Sequence, residues 1–170
     1  MNIELKNFKC SRFASHETLY FQASVYIDGK AAGTVSNTGT GGSNHYLPYE
    51  IGERIQRYAA TLPPIPPEQL PFPATDPLPM CEHILIGNLC DDIIATKDLK
   101  RLIGNSIVWV GADGRVYQSR WVNKTALGQI ADRGAEAMRK VVGIDNEPKA
   151  IVLNTLPFSE ALVLFKKHAK

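Results

Sequence analysis

Residues 18–27 constrain the fold of this chain more than any other stretch. Leu19, Phe21, Ala23, Val25 and Ile27 alternate with Thr18, Tyr20, Gln22, Ser24 and Tyr26. A period of two, carried by aromatic and β-branched residues, is the pattern of a strand with one face in a core and one in solvent. Asp28-Gly29 follows directly, a pair that accepts the positive φ angles of a tight hairpin turn. Residues 30–37 then return as the partner strand, and residues 3–8 form a third. The N-terminal third is thus expected to be an antiparallel β-meander whose outward face carries Tyr20, Gln22, Ser24 and Tyr26.

The rest of the chain shows no regular alternation of strands and helices. Ile51, Ile55, Tyr58 and Leu62 fall at helical spacing behind Pro48, which suits the first turn of a helix. Residues 63–80 hold eight of the eleven prolines, so this stretch is an extended connector lying over the surface rather than a helix or a central strand. It contains Pro64-Ile65-Pro66-Pro67, a polyproline-like run with no basic residue beside it for an adaptor domain to read. A second helix spans about 81–103, with breaks expected near Gly87 or Thr96. A second hairpin pairs 107–110 with 115–122 through Ala112-Asp113-Gly114. A helix over 125–142, a short strand at 151–153 and a closing helix from Pro157 complete the chain. Two hairpins with several helices make the fold class α+β rather than a doubly wound sheet. The 170 residues are expected to form a single domain, with the connector joining an N-terminal meander–helix unit to a C-terminal helix–hairpin unit.

Composition narrows the setting. At 44% hydrophobic and 21% charged the chain is ordinary globular material. Its apolar runs are far shorter than the ~20 residues a bilayer requires, so no membrane association is expected. The first residues lack a hydrophobic signal core, and Cys10, Cys81 and Cys90 form an odd set of thiols; together these point to a reducing cytoplasm. Charge is uneven. Residues 61–96 contain no Lys or Arg and carry a net −5, whereas residues 97–170 carry 13 basic and 7 acidic side chains, a net +6. Such an asymmetry steers a charged partner, or else the two stretches neutralise each other.

Three groups of residues carry candidate chemistry. The glycine-rich loop with Asn37, Gly39, Gly41, Gly42, Asn44 and His45 leads into a helix N-terminus, a combination that suits an anion. It lacks the Lys-Ser/Thr ending of a phosphate loop and the third glycine of a dinucleotide loop. A plain connection between sheet and helix is therefore the favoured reading. Arg115, Tyr117, Arg120 and Trp121 interleave guanidinium groups and rings on the second hairpin, as single-stranded nucleic acid would require. Without a strong excess of positive charge that footprint is weak, and a core position for Trp109 and Trp121 is the favoured reading. Cys81-Glu82-His83 and Cys90-Asp91-Asp92 offer zinc-compatible donors, but their spacing matches no zinc pattern. On a helix, 83 and 90 share a face while 81 points elsewhere. Buried structural cysteines are the expectation, with no metal and no cofactor. No nucleophile–base motif emerges, so no catalytic residue is assigned.

Three stretches carry a resemblance: Ile3-Glu4-Leu5-Lys6-Asn7, Tyr26-Ile27-Asp28-Gly29-Lys30 and Ser36-Asn37-Thr38-Gly39-Thr40-Gly41-Gly42. Over this first third the chain resembles a set of small accessory proteins of phages, prophages and plasmids. The resemblance identifies no catalytic residue. It implies a mobile genetic element inside a bacterial cell, where such proteins act by binding host machinery, including defence systems. A non-enzymatic protein-binding role is therefore expected, in the manner of a counter-defence, anti-CRISPR-like inhibitor, with Tyr20, Gln22, Ser24 and Tyr26 as the contact face. The alternatives are nucleic-acid binding by the basic C-terminal half, and a small-ligand, phosphate or enzymatic role for the loop.

Overall fold

The computed structural model describes residues 1–70, 72–120 and 124–169, without the side chains of residues 120, 124–126 and 131. The α+β expectation holds: a four-stranded antiparallel sheet, helices and a separate three-stranded sheet follow one another along the chain. The molecule divides into two compact units, residues 1–91 and 92–170.

In the first unit, β1 (Ile3–Ser11), β2 (Tyr20–Ile27), β3 (Lys30–Thr38) and β4 (His45–Leu47) pair in sequence order. Asp28 and Gly29 take φ values of 51° and 79°, the left-handed pair that the turn dipeptide promised. The alternation of β2 is reproduced in its burial. Phe21, Ala23, Val25 and Ile27 are buried, whereas Tyr20 and Gln22 are exposed and Ser24 and Tyr26 half-buried.

Strand β1 carries a bulge. Lys6 faces Ser24 and Lys9 faces Gln22, so Asn7 and Phe8 together stand opposite Ala23. Asn7 adopts φ 53°, which Asn tolerates better than most side chains. The extra residue turns Phe8 to the buried side, where its ring stacks on Phe21 at 6.0 Å.

The meander has one strand more than the sequence reading gave it, because His45-Tyr46-Leu47 joins the sheet beside β3 before the chain turns into a helix. That helix, α1 (Glu50–Ala59), buries Ile51, Ile55 and Ala59. The proline-rich connector is largely irregular, as expected. A 3-10 turn at Pro67–Gln69 and a paired bridge between Ile65 and Leu78 close it into a loop. Helix α2 (Glu82–Ile103) runs unbroken through Gly87 and Thr96, since Gly87 meets no crowding and weakens a helix without ending it.

The second unit is built on β5 (Ser106–Val110), flanked by β6 (Val116–Arg120) and β7 (Ile151–Val152). Its two faces feed two apolar clusters. Val108 and Val110 pack with Leu99, Leu153 and with Ala161 and Phe165 of α5 (Phe158–His168). Ile107 packs with Leu127, Met138, Ile144, Ala150 and Val152, with Trp109 at the margin.

The single helix expected over 125–142 is two, α3 (Lys124–Ala131) and α4 (Gly134–Val141). Gly134 has φ +85°, a left-handed residue that stops one helix and redirects the chain into the next. Arg139 then fastens the following loop, donating to the carbonyls of Ala150 at 2.6 Å, Ile144 at 3.1 Å and Glu147 at 2.5 Å.

Candidate binding surface

The outward face of the first sheet follows from its register. Tyr26, Ser24, Gln22 and Tyr20 lie between Glu4, Lys6, Lys9 and Ser11 of β1 and Ala31, Thr34, Ser36 and Thr38 of β3. Leu47 and His45 of β4 extend the same face. Tyr20 is 43% exposed and Leu47 74% exposed, large values for side chains of this kind. Tyr26 is partly covered by a neighbour on its own sheet, the Lys6 ammonium 4.2 Å above its ring. Lys6 also pairs with Glu4 at 3.4 Å, and Ser24 accepts from Asn7 at 3.2 Å. The four residues expected to share a face therefore do so, on one four-stranded sheet and beside two lysines. Phenols, carboxamides and hydroxyls set on such a platform suit a protein surface, because tyrosine buries area at little entropic cost.

The glycine-rich loop is organised from within. Gly39, at φ +79°, leaves no room for a Cβ, which would lie 2.3 Å from the Ala14 carbonyl oxygen. Its own carbonyl accepts from the amides of His16, Glu17 and Thr18. Asn37, 2% exposed, sits at the centre. Its Oδ1 accepts from the Thr18 hydroxyl at 2.8 Å and the Gly39 amide at 2.9 Å. Its Nδ2 donates to the Gly42 carbonyl at 2.9 Å and to Asn44 Oδ1 at 3.1 Å. The Gly41 amide turns to Thr18 Oγ1 at 3.3 Å. The Gly39 and Gly41 N–H groups that would cradle a phosphate are thus engaged inside the loop. His45 is exposed on β4.

Asn44 passes the network on. Its Nδ2 donates to Glu82 Oε1 at 2.8 Å, the Tyr46 hydroxyl donates to the same oxygen, and the Glu82 amide donates to Gln56 Oε1 at 2.8 Å. Burial, with the Glu82 hydrogen bond and charge added, pushes the Tyr46 hydroxyl well above the usual phenol range. Three side chains thereby hold the first residue of α2. Sequence reasoning offered Glu82 only as a metal donor and passed over Tyr46 and Gln56, because Glu82 lies 38 residues from Asn44 and 36 from Tyr46.

His83 and Cys90 do share a face of α2. With Asp91 they line a cleft of about 160 Å³ completed by Leu19, Phe21, Asn37 and Asn44. Among the described residues no three His, Cys, Asp or Glu side chains are grouped to hold a metal ion. Burial, with the charges of Asp91 and Cys10 added, pushes the Cys90 thiol up to about 12, the opposite of what a nucleophilic cysteine needs.

That shift predicts an alkaline loss of stability. A thiol is neutral when protonated, so the folded chain holds this proton more tightly than the unfolded one. The contribution is intact below the ordinary thiol value near 9 and is lost as pH rises from there towards 12. Between about pH 9 and about pH 10 the loss is about 1 kcal/mol from this group. Urea titrations should show that slope reduced by the same amount in Cys90→Ala. An identical slope in both proteins would disprove the assignment.

On the second hairpin, Tyr117 stacks on Trp109 across the strands at 5.7 Å and its hydroxyl donates to Asp113 at 2.7 Å. The same hydrogen bond lowers the Asp113 carboxyl and raises the Tyr117 hydroxyl. The Arg115 amide donates to Asp113 Oδ1 at 3.0 Å, and its guanidinium lies 3.8 Å from Asp113 Oδ2. The ring and charges that a nucleic acid would use are engaged with one another at the turn. Trp121 and the side chain of Arg120 lie outside the described residues.

No protein-family model, curated protein or solved structure matches the chain. Among the described residues no helix is long and apolar enough to cross a membrane.

Proposed function

We propose that this chain is a non-enzymatic binding protein that docks the outward face of its N-terminal sheet on a protein partner. The observation that supports this reading is the solvent-facing row Tyr20, Gln22, Ser24 and Tyr26, extended by exposed Leu47 and flanked by lysines on one sheet. The resemblance of the first third to accessory proteins of mobile elements supplies the setting, a bacterial cytoplasm, and the partner class, a host or defence protein that the chain inhibits by occupying it. Affinity-tagged protein in bacterial lysate is expected to retain a stoichiometric partner. Tyr20→Ala combined with Gln22→Arg should weaken that complex at least ~30-fold, as truncating a central tyrosine does at protein interfaces. Glu160→Gln on α5 should leave it intact. A partner held equally by the double variant, or reproducible absence of any partner, would overturn the proposal.

A further inference from the structure

A groove of about 280 Å³ lies beside the β4–α1 corner, lined by Ser43, Asn44, Tyr46, Tyr49, Gly52, Glu53, Gln56 and Glu82. Its volume falls just below the ~300–1,000 Å³ of pockets that hold drug-sized ligands, so it suits something the size of one long side chain. The floor is the Tyr46 ring, which approaches so closely that a Cβ on Gly52 would lie 2.7 Å from it. Tyr49 stands at the margin, 71% exposed. Two carboxylates enter from different elements, Glu53 from α1 and Glu82 from the first residue of α2.

The polarity of the lining decides what fits. The Tyr46 hydroxyl and the Asn44 Nδ2 both point at Glu82 Oε1, so neither donor is available to an anion. Burial keeps the Tyr46 hydroxyl protonated. The Glu53 carboxylate makes no hydrogen bond or ion pair among the described residues, and Arg57, one turn further along α1, does not pair with it. Arg54 belongs to another depression, with Asp28, Lys30 and Glu50. The first unit as a whole carries nine acidic and six basic side chains, a net −3, which favours the approach of a positive ligand.

We propose that this groove binds an alkyl-guanidinium or alkyl-ammonium group, its charge between Glu53 and Glu82 and its stem along the Tyr46 and Tyr49 rings. The planar fork of a guanidinium fits paired carboxylate acceptors better than a compact ammonium does, and a cation over a tyrosine face gains further attraction. The groove is separate from the outward sheet face, and each proposal stands or falls without the other.

The probes are agmatine, a capped arginine amide and spermidine, with capped citrulline amide as the uncharged isostere. They are titrated into isotopically labelled full-length protein by NMR. Saturable shifts are expected at the amides of Tyr49, Gly52 and Glu53, with capped arginine binding at least tenfold more tightly than capped citrulline and weakening as salt is raised. Glu53→Gln, a change at an exposed position, should weaken capped arginine about tenfold, and Tyr49→Ala should weaken it several-fold. Tighter binding of agmatine than of the capped amide would assign a free small-molecule cation as ligand; the reverse order would assign an arginine side chain of a protein. Equal binding of arginine and citrulline, an unchanged affinity for capped arginine in Glu53→Gln, or no saturable shift with any cation would overturn the proposal.

Discussion

Replacing Asn37 with alanine is expected to cost about 3 kcal/mol of folding stability, read as a lower urea midpoint with an unchanged slope. The carboxamide is 2% exposed and makes four hydrogen bonds, two as acceptor and two as donor. Truncation leaves the Gly39 amide, the Thr18 hydroxyl and the Gly42 carbonyl without the partner that the fold supplies. Each buried orphan costs about 1–3 kcal/mol, and relaxation of the loop recovers part of it. Asn37→Asp separates the two halves of the argument. The carboxylate keeps both acceptor bonds but faces the Gly42 carbonyl and Asn44 Oδ1, which now repel it. At neutral pH the aspartate variant should therefore lose about as much stability as the alanine variant. It should recover some of that loss under acid, where the protonated carboxyl donates once more. An aspartate variant as stable as the native protein at neutral pH would mean that the network does not hold the loop.

Asn37 also marks the limit of what the sequence discloses. The alternation over β2 and the Asp28-Gly29 turn are local patterns, and the structure reproduces both. The bulge in β1 leaves a trace as well: Ile3 and Leu5 are odd-numbered and Phe8 even, and that change of parity is what an inserted residue must produce. The loop from Asn37 to His45 is different. Glycines that admit a ligand and glycines that admit a neighbouring backbone look alike in sequence. Only the position of the Ala14 carbonyl tells which kind Gly39 is. Gly134 lies inside the stretch expected as one helix over 125–142, and only its left-handed φ reveals where that helix stops. The groove is less legible still, because its two carboxylates come from α1 and from Glu82, with the proline-rich connector between them. Composition shows the absence of Lys and Arg over residues 61–96, without saying which carboxylate of that stretch would line a groove with Glu53.

The second large effect is expected at Asn154, in the other unit. Strand β7 pairs with β5 only at Trp109–Val152 and Val110–Ile151 before the chain leaves the sheet in a 3-10 turn, Leu153–Thr155. The Asn154 carboxamide continues the ladder in its place. Its Oδ1 accepts from the Val108 amide at 2.7 Å, and its Nδ2 donates to the Ser106 carbonyl at 2.9 Å and more distantly to that of Ile103 at 3.4 Å. Val108 is 0% and Ser106 2% exposed, so water does not replace these bonds without opening the strand. Asn154→Leu keeps the branching of the side chain and deletes every one of them, at an expected cost of about 3 kcal/mol and a fall in melting temperature on the order of 10 °C. Asn154→Asp should be no milder at neutral pH, since its charge faces two carbonyl oxygens where the native side chain presents an NH2 group. Hydrogen exchange gives the local test. The Val108 amide should lose protection in Asn154→Leu beyond what the global loss of stability accounts for. If that amide stays as protected as its neighbours, the side chain is a bystander to a strand that holds itself.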